Sequence, residues 1–229
     1  MKKTLLVAAA AVIALPSVAY AQDATAPDGG LSAGDKLVRV RAIWVAPQDD
    51  SSGITPTFPT EQVKVSSSVT PEVDVTYMVT DNIGVELIAA TSKHKASGTS
   101  GVTGSIGKLA STWALPPTLT LNYHFNAKGK IRPYVGAGVN YTIFYSEKAS
   151  SGLESAVGPT KVSMSSSFGP AVQAGVDVAV GPNSFFNVDV KWIDMDTTAT
   201  LRTTAIGTQK VRVHIDPVVV GVGFGWRFK

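Results

Sequence analysis

The chain predicts an all-β fold, an eight-stranded antiparallel up-and-down transmembrane β-barrel, on three observations. It opens with an export signal, large apolar residues alternate with small or polar ones at period two, and short connections alternate with long ones. Beyond the signal no segment reaches the roughly 18 consecutive apolar residues of a spanning helix. In hydrocarbon only a helix or a closed barrel satisfies every backbone group, so an exported, alternating, helix-poor chain reads as a barrel.

The signal comes first. Lys2 and Lys3 form a positive start, Thr4 to Leu15 an apolar stretch, and Ala19-Tyr20-Ala21 a small-x-small cleavage site before Gln22. Residues 1–21 are therefore read as a signal peptide and 22–229 as one barrel domain. Cleavage removes two of the 20 basic residues and none of the 17 acidic ones, leaving a net charge of +1. That balance carries no nucleic-acid footprint. With no cysteine, stability has to come from hydrogen bonding and packing.

The strands follow in order. Lys36 to Pro47 sets Val38, Val40, Ala42 and Trp44 against Leu37, Arg39, Arg41 and Ile43. Val73, Val75, Tyr77 and Val79 oppose Glu72, Asp74, Thr76 and Met78; after a turn at Asp81-Asn82, Ile83, Val85, Leu87 and Ala89 oppose Gly84, Glu86, Ile88 and Ala90. Leu119, Leu121, Tyr123 and Phe125 oppose Thr118, Thr120, Asn122 and His124, and beyond residues 126–130 Val135, Val139, Tyr141 and Ile143 oppose Gly136, Gly138, Asn140 and Phe144. Val172, Val176 and Val178 oppose Gln173, Gly175 and Asp177; Gly181-Pro182-Asn183 then turns into Phe186, Val188, Val190 and Trp192 opposite Asn187, Asp189 and Lys191. The last strand, Lys210 to Phe228, places Val218, Val220, Val222, Phe224, Trp226 and Phe228 on one face and Gly221, Gly223 and Gly225 on the other. A narrow barrel needs little volume on its inner wall, so the glycine face is read as inward.

Connections at 80–82, 126–131 and 181–184 are short, whereas those at about 48–66, 92–110, 146–166 and 198–209 are long and rich in Ser, Gly, Thr and Lys. Short periplasmic turns and long outer loops are the asymmetry expected of such barrels. Tyr77, Tyr123, Phe125, Phe186, Trp226 and Phe228 fall on the outward face near the short turns, as an interfacial girdle would.

Five segments, Tyr77 to Leu87 (YMVTDNIGVEL), Leu115 to Leu119 (LPPTL), Arg132 to Tyr141 (RPYVGAGVNY), Asp194 to Ala199 (DMDTTA) and Asp216-Pro217 with Trp226-Arg227-Phe228, resemble the OmpW family of outer-membrane proteins in content and order. The resemblance implies an eight-stranded barrel in the outer membrane of a Gram-negative bacterium, with a narrow channel passing small, often hydrophobic solutes and in some relatives releasing them sideways into the membrane. It also implies outer loops that serve as phage or bacteriocin receptors, and a terminal aromatic that the barrel-assembly machinery reads. Here Lys229 follows Phe228, a departure that weakens that terminal signal.

Inward parity gives a mixed lumen: Arg39, Arg41, Asp74, Met78, Glu86, Ile88, Thr120, Asn122, His124, Asn140, Thr142, Phe144, Gln173, Asp177, Asp189, Lys191 and Arg227. Charges of both signs in a low-dielectric tube have to pair, and an Arg with Asp74 and Lys191 with Glu86 are the pairs expected. Met78, Glu86, Ile88, Thr120, Asn122, Phe144, Asp189 and Lys191 are the candidate pore-lining residues, with a constriction at Ile88, Met78, Phe144 and Lys191. Eight strands leave room for side chains but not for a wide aqueous pore. Pro47, Pro71, Pro116, Pro117, Pro170 and Pro217 lie toward the outer strand ends, where each removes a ladder donor; they are read either as a lateral gap or as strand ends at the rim. The alternation also slips at Asp216-Pro217, since Val211, Val213 and Ile215 have the opposite parity to Val218.

His94, His124 and His214 lie on separate segments without paired ligand spacing, no Gly-x-Ser-x-Gly turn occurs, and the glycines at 221, 223 and 225 precede no helix. No catalysis, metal or cofactor is expected. The expected function is narrow passive passage of small hydrophobic solutes, with a plugged structural or receptor barrel as the alternative and a lipid-modifying enzyme behind it. Lys93, Lys95, Lys108, Lys148 and Lys161 are candidate contacts for lipopolysaccharide phosphates, or simply solvated charge, and outer-membrane lipid surrounds the wall.

Overall fold

The computed structural model describes residues 30–229; the signal assigned to 1–21 lies outside the described residues. Eight strands form the barrel: β1 (Lys36–Ala46), β2 (Ser68–Met78), β3 (Ile83–Ala90), β4 (Thr118–His124), β5 (Ile131–Ala149), β6 (Ser167–Ala179), β7 (Ser184–Ile193) and β8 (Val218–Phe228). Each pairs antiparallel with its sequence neighbour, and β8 pairs with β1 from Lys36↔Phe228 to Ala46↔Val218, which closes the sheet. Closure gives every barrel strand a partner on both sides.

Period-two segregation sets the two faces. Val40, Trp44, Val75, Leu87, Leu121, Val135, Val172 and Val222 are exposed on the outside, and every residue assigned to the lumen by parity is buried. Tyr77, Tyr123, Phe125, Trp226 and Phe228 are exposed near the short turns, while Trp44, Tyr141, Tyr145, Phe168 and Trp192 mark the other rim. These two belts bound the membrane-facing band.

Inner-wall glycines let neighbouring elements approach. A side chain at Gly223 would collide with the Val40 carbonyl and stand 2.7 Å from Arg41 Cα; one at Gly138 would collide with the Leu119 carbonyl. The narrow tube filled by arginines depends on that missing volume.

The long connections, expected as loops, are corrected by the structure. The sheet continues above the outer belt as two arms. One joins Val63–Val65, Ser92–Gly98, Lys108–Leu115 and the outer half of β5; the other joins Asp50–Ser51, Gly207–His214, Asp196–Thr203 and Thr160–Met164. Short helices Gly101–Ile106 and Ser151–Val157 cap them, the second with Ser150 Oγ accepting from Leu153 N. The polar composition was read as loop because one face of each arm meets water rather than lipid.

The same change of solvent explains the slip at Asp216-Pro217, and it corrects the single last strand into two. Gly207–His214 and Val218–Phe228 are separate, with Asp216 between them at φ 37°. Above the break Val211, Val213 and Ile215 point inward and are buried, whereas below it Val220 and Val222 point to lipid. A strand that leaves the bilayer has to turn its apolar face from outside to inside, and the one-residue change of parity does this. The inward faces of both arms share one apolar core that includes Val63, Leu109, Leu153, Met195, Val211 and Val213.

Candidate functional site: an apolar cavity above a charged plug

The barrel interior is filled in three layers. Nearest the short turns, Leu31, Leu37, Met78, Ala127 and Phe185 form a small apolar cluster. Arg227 closes the end beside it, donating to the Gly30 carbonyl and to Asn183 Oδ1 at 3.0 Å. His124 lies against Tyr134, with ring centroids 5.1 Å apart, and the guanidinium of Arg132 stands 5.2 Å from the Phe185 ring centre.

Above this sits the plug. Arg39 Nη1 donates to Asp74 Oδ1 at 2.9 Å and to Thr76 at 2.8 Å, and its Nη2 to Asp177 Oδ2 at 2.9 Å. Arg41 Nη2 donates to Asp74 Oδ2 at 2.5 Å and to Glu86 Oε1 at 3.3 Å, its Nη1 to Asn187 at 3.0 Å, and its Nε lies 2.9 Å from Glu72 Oε1. Glu86 Oε2 accepts from Gln173 at 2.6 Å and from Asn122, and Gln173 also donates to Thr120 at 3.2 Å. Only a planar fork of five donors can serve so many carboxylates from one position, which is why arginine stands at both sites. The side chains of Arg39, Arg41, Asp74, Glu86 and Asp177 have 0 % exposure. Among the described residues these side chains leave one another no surface open to water, so the axial path is shut at this level.

The top of the plug is Lys191, which donates to Asp189 Oδ2 at 2.7 Å and to Glu72 Oε1 at 2.9 Å. It forms the floor of an apolar cavity between the arms, with Ile43, Ile88, Ile193, Val219 and Glu72 at the bottom and Phe144, Leu109, Val162, Met195 and Val211 in the wall. The room left between these side chains is about 100 Å³. Hydrophobic lining with few polar groups is the usual character of a small-molecule site. His94, on the Ser92–Gly98 strand of the arm, gives its Nδ1 proton to the Ser66 carbonyl at 2.7 Å, so Nε2 accepts from Ser92 Oγ at 2.8 Å. Burial in that wall holds its imidazole below the usual histidine range.

The residues singled out by parity are thus divided between layers. Glu86, Thr120, Asn122 and Asp189 belong to the plug, and Ile88, Phe144 and Lys191 line the cavity. Met78 is corrected: it packs at the opposite end with Leu37 and Phe185 and cannot share a constriction with Ile88. The expected Lys191–Glu86 pair is also corrected, because Lys191 meets Glu72 and Asp189 while Glu86 meets Arg39 and Arg41. The Arg–Asp74 pair is present for both arginines. Tyr134 and Phe185 were missed, yet they continue the inward parity of Gly136 and Asn187; Glu72 and Asn187, placed on the inward parity, join the plug although they were not among the lumen residues named.

The prolines separate too. Pro71 and Pro170 lie inside continuous ladders, opposite Ala42 and Val139, and Pro47 follows the end of β1. Pro217 lines the cavity where the Ile193 N–H reaches its carbonyl at 3.3 Å. Pro116 and Pro117 stand at an interruption: β3 pairs with β4 as far as Ile88↔Thr118, and pairing resumes only at Ser92↔Ala114. Ala90 and Pro116, on either side of that break, both line the cavity.

Asp194, Asp196 and Asp216 bring their carboxylates together at an outer corner, where His214 Nδ1 meets Asp196 Oδ1 at 2.5 Å. The outward lysines Lys64, Lys93, Lys95 and Lys148 lie on one arm, with Lys93 Nζ 5.8 Å from the Trp113 ring centre.

Comparison with known proteins agrees with this architecture. The OmpW family profile matches residues 32–228. An outer-membrane protein y4mB of Sinorhizobium fredii (strain NBRC 101917 / NGR234) is 36 % identical over 221 residues, 96 % of this chain and 90 % of its own length. Outer membrane protein W of Escherichia coli (strain K12) is 34 % identical over 230 residues, the full length of both chains. A Pseudomonas aeruginosa protein named as the dibenzothiophene metabolism operon protein PahQ is 32 % identical over 161 residues, covering 68 % of this chain and 69 % of its own. Among solved structures, the outer membrane protein OprG from Pseudomonas aeruginosa superposes with a TM-score of 0.81 at 33 % identity, covering 87 % of this chain and 98 % of that one. With a closed eight-stranded barrel, two aromatic belts and a family match spanning nearly every described residue, the chain belongs to the OmpW family of Gram-negative outer-membrane proteins.

Proposed function

We propose that this barrel takes up small hydrophobic solutes through its outer cavity and releases them sideways into the membrane. The observation that carries the reading is the stacking of an apolar cavity on a sealed ionic plug. An apolar molecule gains by leaving water for the cavity, at about 25 cal/mol per Å² of apolar surface buried, and is turned back by charges it cannot solvate. The remaining way out is through the wall. The unpaired stretch between β3 and β4 at Ala90 and Pro116 needs no ladder hydrogen bond broken to widen, and the lipid beyond it is as apolar as the cavity. The similarity to PahQ, whose name places it in a dibenzothiophene metabolism operon, supports a hydrophobic cargo.

The test is uptake of a hydrophobic reporter by liposomes carrying the barrel, compared with the Thr91→Cys/Leu115→Cys variant bridged across the break by a thiol cross-linker. Bridging is expected to lower uptake, and reduction of the link to restore it. Uptake that is unchanged with the seam closed overturns the lateral route. No uptake above that of empty liposomes overturns transport altogether and leaves a plugged structural or receptor barrel.

A further inference from the structure

We propose that the cavity floor is a seat for one hydroxyl group, so that the preferred cargo is a neutral apolar molecule carrying an alcohol at one end. This rests on the uptake reading above and names the class of solute. Around the wall, several polar groups are already engaged: Ser92 and His94 bond to each other, Thr118 Oγ1 donates to the Pro116 carbonyl, and Thr197 Oγ1 to the Ser165 carbonyl. Lys191 is different. Its ammonium has three donors, and the described residues take two of them, through Glu72 and Asp189.

Glu72 complements it. Both of its ionic contacts, from Lys191 Nζ and Arg41 Nε, fall on Oε1. Its other oxygen is left as an acceptor at the floor, and both side chains line the cavity. A hydroxyl uses both halves of this arrangement, since its oxygen accepts from Lys191 while its proton goes to Glu72. An ether or ester oxygen uses only the first half, and an alkane neither.

Charge excludes the acid. Lys191 and Arg41 already meet Glu72 and Asp189, so neither cation at the floor stands without its carboxylates. A fatty carboxylate brought to Lys191 stands beside Glu72 and Asp189 in a medium of low dielectric, where like charges repel strongly.

The experiment uses the full barrel in lipid nanodiscs with methyl-labelled isoleucine, because Ile43, Ile88 and Ile193 report on the floor. It is titrated with a linear alcohol and with the alkane, methyl ether and carboxylate of equal chain length. The expected order is alcohol, ether, alkane, with alcohol about tenfold tighter than alkane, as two modest hydrogen bonds allow, and with no saturable shift from the carboxylate. Lys191→Met should bring the alcohol down to the alkane, and Glu72→Gln should weaken the alcohol while leaving the ether unchanged. The wild-type series stands by itself should a variant fail to fold. Alcohol and alkane binding within about twofold of each other, or a carboxylate that binds as well as the alcohol, overturns the seat while leaving uptake intact. If no solute moves any of the three isoleucines, the uptake reading falls instead.

Discussion

Replacing Arg41 by methionine keeps most of the side-chain volume and removes the charge at the centre of the plug. Four carboxylates lose a partner: Asp74 at 2.5 Å, Glu72 at 2.9 Å, and Glu86 and Asp189 at 3.3 Å. None is left without any cation, because Arg39 still lies 2.9 Å from Asp74 and 3.5 Å from Glu86, and Lys191 still holds Glu72 and Asp189. The local balance nevertheless becomes three cations, Arg39, Lys191 and the Arg132 that faces Asp177, against five buried acidic side chains. Removing one partner from a buried charge network costs about 3–5 kcal/mol, two to nearly four orders of magnitude in the folded-to-unfolded ratio. Reversible urea unfolding from lipid vesicles, followed by tryptophan fluorescence, measures it. The internal control is Asp81→Asn, which removes the charge from an ion pair of 2.8 Å to Lys128 whose side chains are 48 % and 59 % exposed, and is expected to cost less than about 1 kcal/mol. An Arg41→Met loss no larger than that of the control would refute the view that the plug is a coupled, desolvated unit.

Gly223→Val places a side chain against the Val40 carbonyl and 2.7 Å from Arg41 Cα, so the barrel should not close; the absence of a heat-modifiable folded band on gels checks this, and a normally folded band contradicts it. Phe144→Ala enlarges the cavity wall, and liposome uptake should rise for a bulky apolar reporter more than for a slender one. Burial holds the His94 imidazole below its usual range, so the unfolded arm takes up a proton at a pH where the folded arm does not. Stability of the Ser92–Gly98 arm is therefore present above the ordinary histidine value of about 6.5 and lost as pH falls below it. The protection of that strand's amides, taken relative to their intrinsic exchange, should fall on acidification in the wild type, and that fall should vanish in His94→Gln.

Parity alone decides a large part of the molecule. Val218 to Phe228 fixes which residues face lipid because successive side chains point to opposite sides of a strand, and that geometry is local. The slip at Asp216-Pro217 was visible as well, although its meaning, a change from hydrocarbon outside to water outside, required knowing where the bilayer ends. The Ser- and Lys-rich stretches hid the arms for the same reason: Val211 and Val213 alternate with Lys210 and Arg212 as a strand does, but their apolar side faces the interior.

Height was not legible. Met78 and Ile88 share an inward parity, yet Met78 lies at the turn end of β2, while Ile88 is five residues up β3, a rise of about 17 Å. Which charges meet depends on strand tilt and stagger around the closed sheet, so Lys191 of β7 stands level with Glu72 rather than Glu86. The sequence by itself determined the barrel, its lipid face and the list of buried charges, because each follows from neighbours along one strand. The tertiary structure alone decided that those charges seal the tube and that an apolar cavity stands above them, because both depend on residues from different strands arriving at the same level.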